Sequence, residues 1–458
     1  MTAPTRFTGA ALQGFTREFL GEVLRPGEAR YDEARRVWNG MIDRRPAVIV
    51  RAANTEDVRR AIAFARAQGL PVAVRGGGHN AAGLAVCDDG LVIDLSAMRR
   101  IGVDPARRIA WADGGATWAE LDAATQAHGL ATTGGLISST GIAGLTLGGG
   151  IGWLMRRHGL ACDNLIAAEV VTADGRVVRA SETENPELLW GLRGGGGNFG
   201  VVTTLEYRLH PVGPMILGGM LVHPLARAGE VLRFYRDFTA AAPEALTVFA
   251  VLLVSPEGAP ILALLPAWFG PIEEGQALLR PLREFGPPLA DQVAPMPYTA
   301  LQTMLDAGFP SGLQVYWRGA FLSELSDGLI DAAVARSAAS PSPLSAIVFE
   351  QLGGAVARVG REETAFDHRA AAFNLAVIGR WSDPADAERN IAWTRGTTDV
   401  FRPFTSGGAY VNYLGLGEGA DRVRAAYGPE KFARLVTLKR QYDPTNVFRF
   451  NQNIPPDA

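Results

Sequence analysis

Residues 71–80 read Pro-Val-Ala-Val-Arg-Gly-Gly-Gly-His-Asn, a short apolar run that breaks into three glycines, a histidine and an asparagine. The run predicts a strand. Consecutive glycines after it let backbone N–H groups turn inward and let a ligand approach the main chain closely, so a phosphate-bearing group is the natural occupant. Just upstream, VIVR at 48–51 predicts another strand and NTEDVRRAIAFARAQG at 54–69 a helix. Val58, Ala61, Ile62 and Ala65 follow i, i+3, i+4, i+7 spacing, Asn54 or Thr55 caps the start, and Gly69 with Pro71 stops it. Residues 48–74 therefore begin an α/β unit.

Further strands are expected at 91–95 (LVIDL) and 109–112 (IAWA), and a helix at 117–129 opened by a Thr117/Glu120 capping box. LIAAEVVTADGRVVRA at 165–180 reads as a hairpin around Ala173-Asp174-Gly175; PELLWGLR makes a short helix, and VVTTLEYRLH a strand. From 213 to about 405 the chain is richer in proline, and MILGGMLVHP, LTVFAVLLV and ILALLPAWFG alternate with helical stretches. That pattern predicts an α+β unit with an antiparallel sheet flanked by helices. A last helix is expected from Pro429 to just before Asp443-Pro444. The divisions are 1–212, 213–405 and 406–458.

The 458 residues exceed the ~100–200 of one domain, and 47% hydrophobic with 20% charged residues is ordinary for a folded chain. Forty-four basic against 47 acidic residues leave no positive field for nucleic acid. Two cysteines, Cys87 and Cys162, build no disulfide framework and suit a reducing compartment. No targeting peptide and no run of ~20 apolar residues is visible, so a cytoplasmic location away from membranes is expected, with monomer as the default state. His128 and His158 lack metal-ligand spacing, and no metal site is expected.

Glycine is the outlier at 54 residues, and the longest cluster is GGLISSTGIAGLTLGGGIG at 134–152. Gly76, Gly78 and Ala81 fit GxGxxA, and Gly195, Gly197 and Gly200 fit GxGxxG. The first set lacks the following helix, and the second has helix before strand, so neither is a dinucleotide fingerprint. A ribbon so poor in side chains suits a long flat ligand held by backbone groups along its length, and FAD has that shape.

RGGGHN, the 134–152 ribbon, HGLACDNL at 158–165, RGGGGNFGVVT at 193–203 and YDPTNVFRFNQNI at 442–454 together resemble the berberine bridge enzyme-like flavoproteins, of the vanillyl-alcohol oxidase and p-cresol methylhydroxylase fold. The resemblance spans about 31–213 and 406–458. It implies a PCMH-type FAD domain built from both termini, and a middle segment that supplies the substrate cavity. It implies FAD bonded through its 8α-methyl to His79. The cysteine that makes a second bond in many relatives is replaced here by Ile137, so single attachment is expected, with Cys162 a small buried residue. Cofactor contacts are implied for Arg75, Gly76, Gly77, Gly78, Asn80 and Gly83, then Gly114, Gly135, Ser139, Thr140, Gly141 and Gly144. They are also implied for Gly148, Gly149, Gly150 and Gly152, and for Leu160, Asp163, Gly200, Val202, Asn412 and Asn451.

Thr140 matches the family's oxygen-gate position, where a small residue implies access for O2. Tyr410, Asn412 and Tyr413 match a Y-x-N-Y motif whose second tyrosine takes the substrate proton. A phenol with an ordinary pKa of ~10 does so near neutral pH only if its anion is stabilised. The acid-base carboxylate that some relatives carry after a glycine pair is absent, because Gly353-Gly354 lead to Arg358. That arginine would activate Tyr413 or hold an anionic substrate. Glu350 is the remaining carboxylate base, its plainer reading a solvent-facing strand residue, and His368 is structural. Tyr298, Tyr316 and Trp317 are aromatic candidates for the pocket.

These features imply an FAD-dependent oxidase that passes hydride from a small organic or secondary-metabolite substrate to flavin N5 and reoxidises with O2, giving hydrogen peroxide. The alternatives are an oxygen-inserting flavoenzyme acting on a polyketide-like or phenolic substrate and a non-catalytic flavin-binding protein.

Overall fold

The computed structural model describes the backbone of residues 9–458 and side chains from residue 12 onward. It is a mixed α+β fold with three principal sheets. In the first, Leu91–Asp94 runs parallel to both Val48–Arg51 and Val72–Arg75, with Glu22–Leu24 antiparallel at one edge. The crossover helix Thr55–Ala67 buries Val58, Ala61, Ile62 and Ala65 as the spacing requires, and the Asn54 side chain accepts from the Asp57 N–H. The strand Val72–Arg75 thus delivers the RGGGHN loop at its carboxyl end, where open parallel sheets place ligands.

The second sheet is antiparallel, in the order Ile101–Asp104, Ile109–Asp113, Val201–Arg208, Leu165–Val171, Val177–Ser181. The strand at 101–104 was not anticipated, since its half-buried IGVD carries no alternation signal. Nor is the 134–152 stretch all ribbon. Ile142–Leu147 coils into a short helix because Ile142, Ala143, Thr146 and Leu147 share a buried face.

The nine-stranded third sheet is antiparallel, and the period of two along its strands decides what each face meets. Leu246, Val248, Ala250 and Leu252 point into a core formed with helices Ala228–Ala240, Ile272–Glu284, Asp327–Ala338 and Ala387–Phe401. Phe249, from the intervening set, packs against Trp153, Leu154 and Leu160 from the loop after the ribbon. On the neighbouring strands Ile347, Phe349, Leu375 and Val377 take the helix side, so Glu350 and Asn374 fall on the side facing the glycine loops. MILGGMLVHP is split into Met215–Gly218 and Leu221–Pro224.

The tail returns to the first half. Helix Ala420–Tyr442 is kinked at Gly428, and Pro429 opens its second half, the start the sequence indicated; the turns before it went unread. Leu435, Val436 and Leu438 pack with Trp190, Phe199 and Leu205. The fully buried Lys439 ammonium donates to Asp443 at 2.7 Å and to the carbonyls of Asn198 and Phe448 at 2.9 Å. Asp443 accepts from the N–H groups of Val447 and Phe448 at 2.8 Å. This ion pair pins the terminal motif to the RGGGGNFG segment.

Candidate active site

Two glycine loops meet backbone to backbone. A Cβ on Gly77 would lie 2.3 Å from the Gly141 nitrogen, and one on Gly141 would lie 2.4 Å from the Gly77 nitrogen. Only glycine fits at either point. Several other glycines expected at the cofactor are likewise crowded by protein. Gly76 and Gly114 abut the carbonyls of Gly114 and Val202, Gly83 abuts Ile42, Gly135 faces Leu145 and Trp118, and Gly148 faces the Asn412 amide. Gly149 abuts Phe366 and Tyr410, Gly150 abuts Ala161, Gly152 abuts the Gly134 carbonyl, and Gly200 abuts Val170. Gly144 and Gly197 differ, with no atom within 4 Å of where a Cβ would stand.

The residues present fit FAD. Among the described residues, no backbone N–H from Gly76 to Asn80 finds an acceptor in the protein, which leaves five consecutive donors suited to a diphosphate. The buried Asn451 carbonyl oxygen is also without a partner, while its amide donates to the carbonyls of Gly197 and Phe448. Other side chains in the expected set hold the fold. Buried Arg75 donates to Asp94 at 2.7 Å, so its charge is already matched. Asp163 takes a two-point ion pair from buried Arg369 and the Leu160 N–H, and Leu160 and Val202 are core residues. Cys162 is fully buried, and burial pushes its thiol well up.

His79 lies half-buried beside the meeting point of the loops. Its ring stacks on Trp38 with centroids 5.4 Å apart at 15°, Ser139 Oγ lies 3.2 Å from Nε2, and Thr140 Oγ1 lies 3.3 Å from Nδ1. Burial lowers its pKa to about 4, with the Asp306 carboxylate pulling the other way, so the imidazole is neutral at pH 7. Trp38 is a residue the sequence reading missed, and its single position carried no periodic signal. From it an aromatic path runs to Trp317 at 6.1 Å and on to Tyr413 at 5.0 Å.

Tyr413 and Glu350, read separately from the sequence, form one hydrogen-bonded pair. The phenol donates to Glu350 at 2.7 Å, and the Asn374 amide donates to the other carboxylate oxygen at 2.5 Å. Glu350 is 1% exposed, which corrects the solvent-facing reading, and burial raises its pKa to about 7. Burial and the adjoining carboxylate push Tyr413 well above its usual value. A stabilised phenolate is therefore not what this environment offers, and the carboxylate that the phenol meets is Glu350. Arg358 does not join them, since its exposed guanidinium pairs with Glu244 at the surface. The Tyr410 hydroxyl accepts from the Gly150 and Ile151 N–H groups and from Asn412, whose amide also donates to Leu145.

Of the aromatic pocket candidates, Trp317 shares the loop-facing side of its strand with Gly319, whose missing side chain leaves room for Tyr413. Tyr316 takes the opposite side and is bonded by Arg318 and Arg395, and Tyr298 is fully buried core. His368 stacks on Phe321 at 4.4 Å. Among the described residues no group of three metal-ligating side chains occurs, and no helix is long and apolar enough to cross a membrane.

Residues 46–181 match the family described as FAD binding domain, and residues 409–455 match berberine and berberine like. An FAD-linked oxidoreductase of Dictyostelium discoideum is 32% identical over 445 residues, covering 96% of each chain. (R)-6-hydroxynicotine oxidase of Paenarthrobacter nicotinovorans is 30% identical, covering 96% of this chain and 97% of its own. The crystal structure of 6-hydroxy-D-nicotine oxidase from Arthrobacter nicotinovorans superposes with a TM-score of 0.88 at 29% identity, covering 96% of this chain and 98% of that one. With the loops, the fit to FAD and these likenesses together, the chain belongs to the berberine bridge enzyme-like FAD-linked oxidoreductases.

Proposed function

We propose that the protein is an oxidase that removes two hydrogens from a small organic substrate bearing a C–H next to an ionisable O–H or N–H, with O2 as final acceptor and hydrogen peroxide as product. The observation that carries this reading is the buried Glu350–Tyr413 pair on the sheet face that looks toward the glycine loops. FAD supplies the two-electron acceptor and the route to O2. In this reading residues 1–212 and 406–458 hold it and residues 213–405 shape the substrate cavity.

The protein's own part is proton movement and placement. Tyr413 O–H contacts the substrate's acidic group, and as that proton reaches the phenol oxygen the phenol's own passes to Glu350 Oε1. No bare phenolate is needed, and Asn374 holds the carboxylate in line. Trp317, between Trp38 and Tyr413, offers an apolar ring beside the phenol for an aromatic or apolar part of the substrate. His79, neutral and held between Trp38 and the Ser139 and Thr140 hydroxyls, is the attachment point for the flavin 8α carbon, and Ile137 leaves the attachment single.

The test is acid precipitation of the purified protein and of His79→Ala. Yellow colour is expected in the wild-type pellet and not in the variant's, followed by peroxide release on substrate screening. Colour in the wild-type supernatant rejects the histidine linkage. Label from 18O2 in the organic product rejects the simple oxidase in favour of oxygen insertion.

A further inference from the structure

His79 is gripped by neighbours that one distant turn controls. The turn Asp306–Phe309 follows the substrate-side helix Tyr298–Thr303 and reaches across to the glycine loops. The Asp306 carboxylate accepts the Ser138 N–H at 2.8 Å and the Ser138 hydroxyl at 2.6 Å. Ser138 directly precedes Ser139 and Thr140, whose hydroxyls lie against the two ring nitrogens of His79. Three residues on, the Phe309 carbonyl accepts the indole N–H of Trp38 at 3.2 Å, and Trp38 stacks on the same imidazole. Both supports of the ring therefore end on one turn.

The carboxylate's charge is also available. Among the described residues Asp306 has no ion-pair partner, and its two bonds go to neutral donors. Its field reaches His79, where it opposes the effect of burial.

Attachment, the reading this inference rests on, forms a bond between an imidazole nitrogen and the flavin 8α carbon. It breaks one methyl C–H and the imidazole N–H, and the two electrons and two protons released pass to O2 as hydrogen peroxide. While the new bond forms, and before its proton leaves, the imidazole is positive in a partly dry site. A fixed negative charge is worth most there.

We propose that Asp306 is the positioning residue for flavin attachment, holding the 138–140 segment against His79 and setting an unneutralised carboxylate where the imidazole becomes positive. The substrate-side half of the chain thereby controls a bond made in the flavin-side half.

The experiment follows total and acid-precipitable flavin over time in wild type, Asp306→Asn, Asp306→Glu and Ser138→Ala supplied with FAD, with melting temperature as the folding control. Asp306→Asn keeps the shape and an acceptor for Ser138 but loses the charge. It is expected to bind flavin at wild-type stoichiometry and attach it at least tenfold more slowly. Ser138→Ala keeps the charge and should slow attachment less than threefold, and Asp306→Glu should recover most of the rate. Equal attachment by Asp306→Asn and wild type, or an equal loss in Ser138→Ala, overturns the proposal. If Asp306→Asn does not fold, failure of a folded Asp306→Glu to attach flavin overturns it instead. Absence of attached flavin in the wild type overturns the linkage itself, a different result from any of these.

Discussion

The Tyr413 phenol donates to Glu350 across 2.7 Å, so a buried carboxylate sits one hydrogen bond behind the phenol that the proposed function places against substrate. Raised to about 7, Glu350 is mostly protonated below that pH and mostly a carboxylate above it. Turnover should therefore rise with pH through about 7. Glu350→Gln should remove that limb and slow flavin reduction by ~10²–10⁴, and Tyr413→Phe should do the same with less effect on substrate binding. Stopped-flow reduction against pH checks both. A similar rate and an unchanged limb in Glu350→Gln would exclude the carboxylate as base.

The same shift bears on stability. Folding raises Glu350 from an ordinary 4.5, so its favourable contribution is fully present below about 4.5 and is lost as pH rises through about 7. Melting temperature should fall less steeply between pH 5 and about 7 in Glu350→Gln than in wild type, and the two curves should run parallel from about pH 8 to 9.

Gly77 and Gly144 should respond oppositely to alanine. At Gly77 the methyl meets the Gly141 backbone, which has no side chain to yield, and a loss of ~1–3 kcal/mol is expected in urea melts. At Gly144 it meets no protein atom, so melting of the flavin-free protein should not change while flavin retention drops. Equal stability loss at both positions would show that Gly144 is ordinary packing.

Thr140 is small and lies against His79. Under the oxidase reading, Thr140→Leu should slow reoxidation by O2 at least tenfold and leave reduction by substrate and reoxidation by an artificial dye near wild type. Stopped-flow traces of the two half-reactions separate these effects.

Asp443→Ala would strand the fully buried Lys439 ammonium and free two N–H groups. Breaking such a pair costs ~3–5 kcal/mol, so the melting temperature should fall by several degrees and the tail should become protease-sensitive. Replacing both partners by apolar residues should recover part of the loss.

Much of this protein was legible in its sequence because the signals were local. The capped helix at 55–67, the Thr117/Glu120 box, the strands beside the glycine loops and the hairpin at 165–181 each arise from spacing within ~15 residues, where backbone geometry alone dictates the pattern. The glycine loops and the motif resemblance reached FAD for the same reason, since a backbone-lined cradle must be written as consecutive small residues.

Long-range assembly set the rest. Nothing in FEQLGG says that Glu350 is dry, because its burial depends on which face of a strand meets the glycine loops, and that parity is fixed by packing against helices scattered from 228 to 401. Arg358 looked like a partner for Tyr413 by count along the chain, yet finds Glu244 at the surface. Trp38 and Asp306 carry no motif, and their contacts beside His79 exist only because Phe309 and Ser138 come to them from elsewhere in the chain. Backbone conformation is chosen by neighbours in sequence, whereas the charge, dryness and partners of a side chain are chosen by whatever the folded chain brings against it.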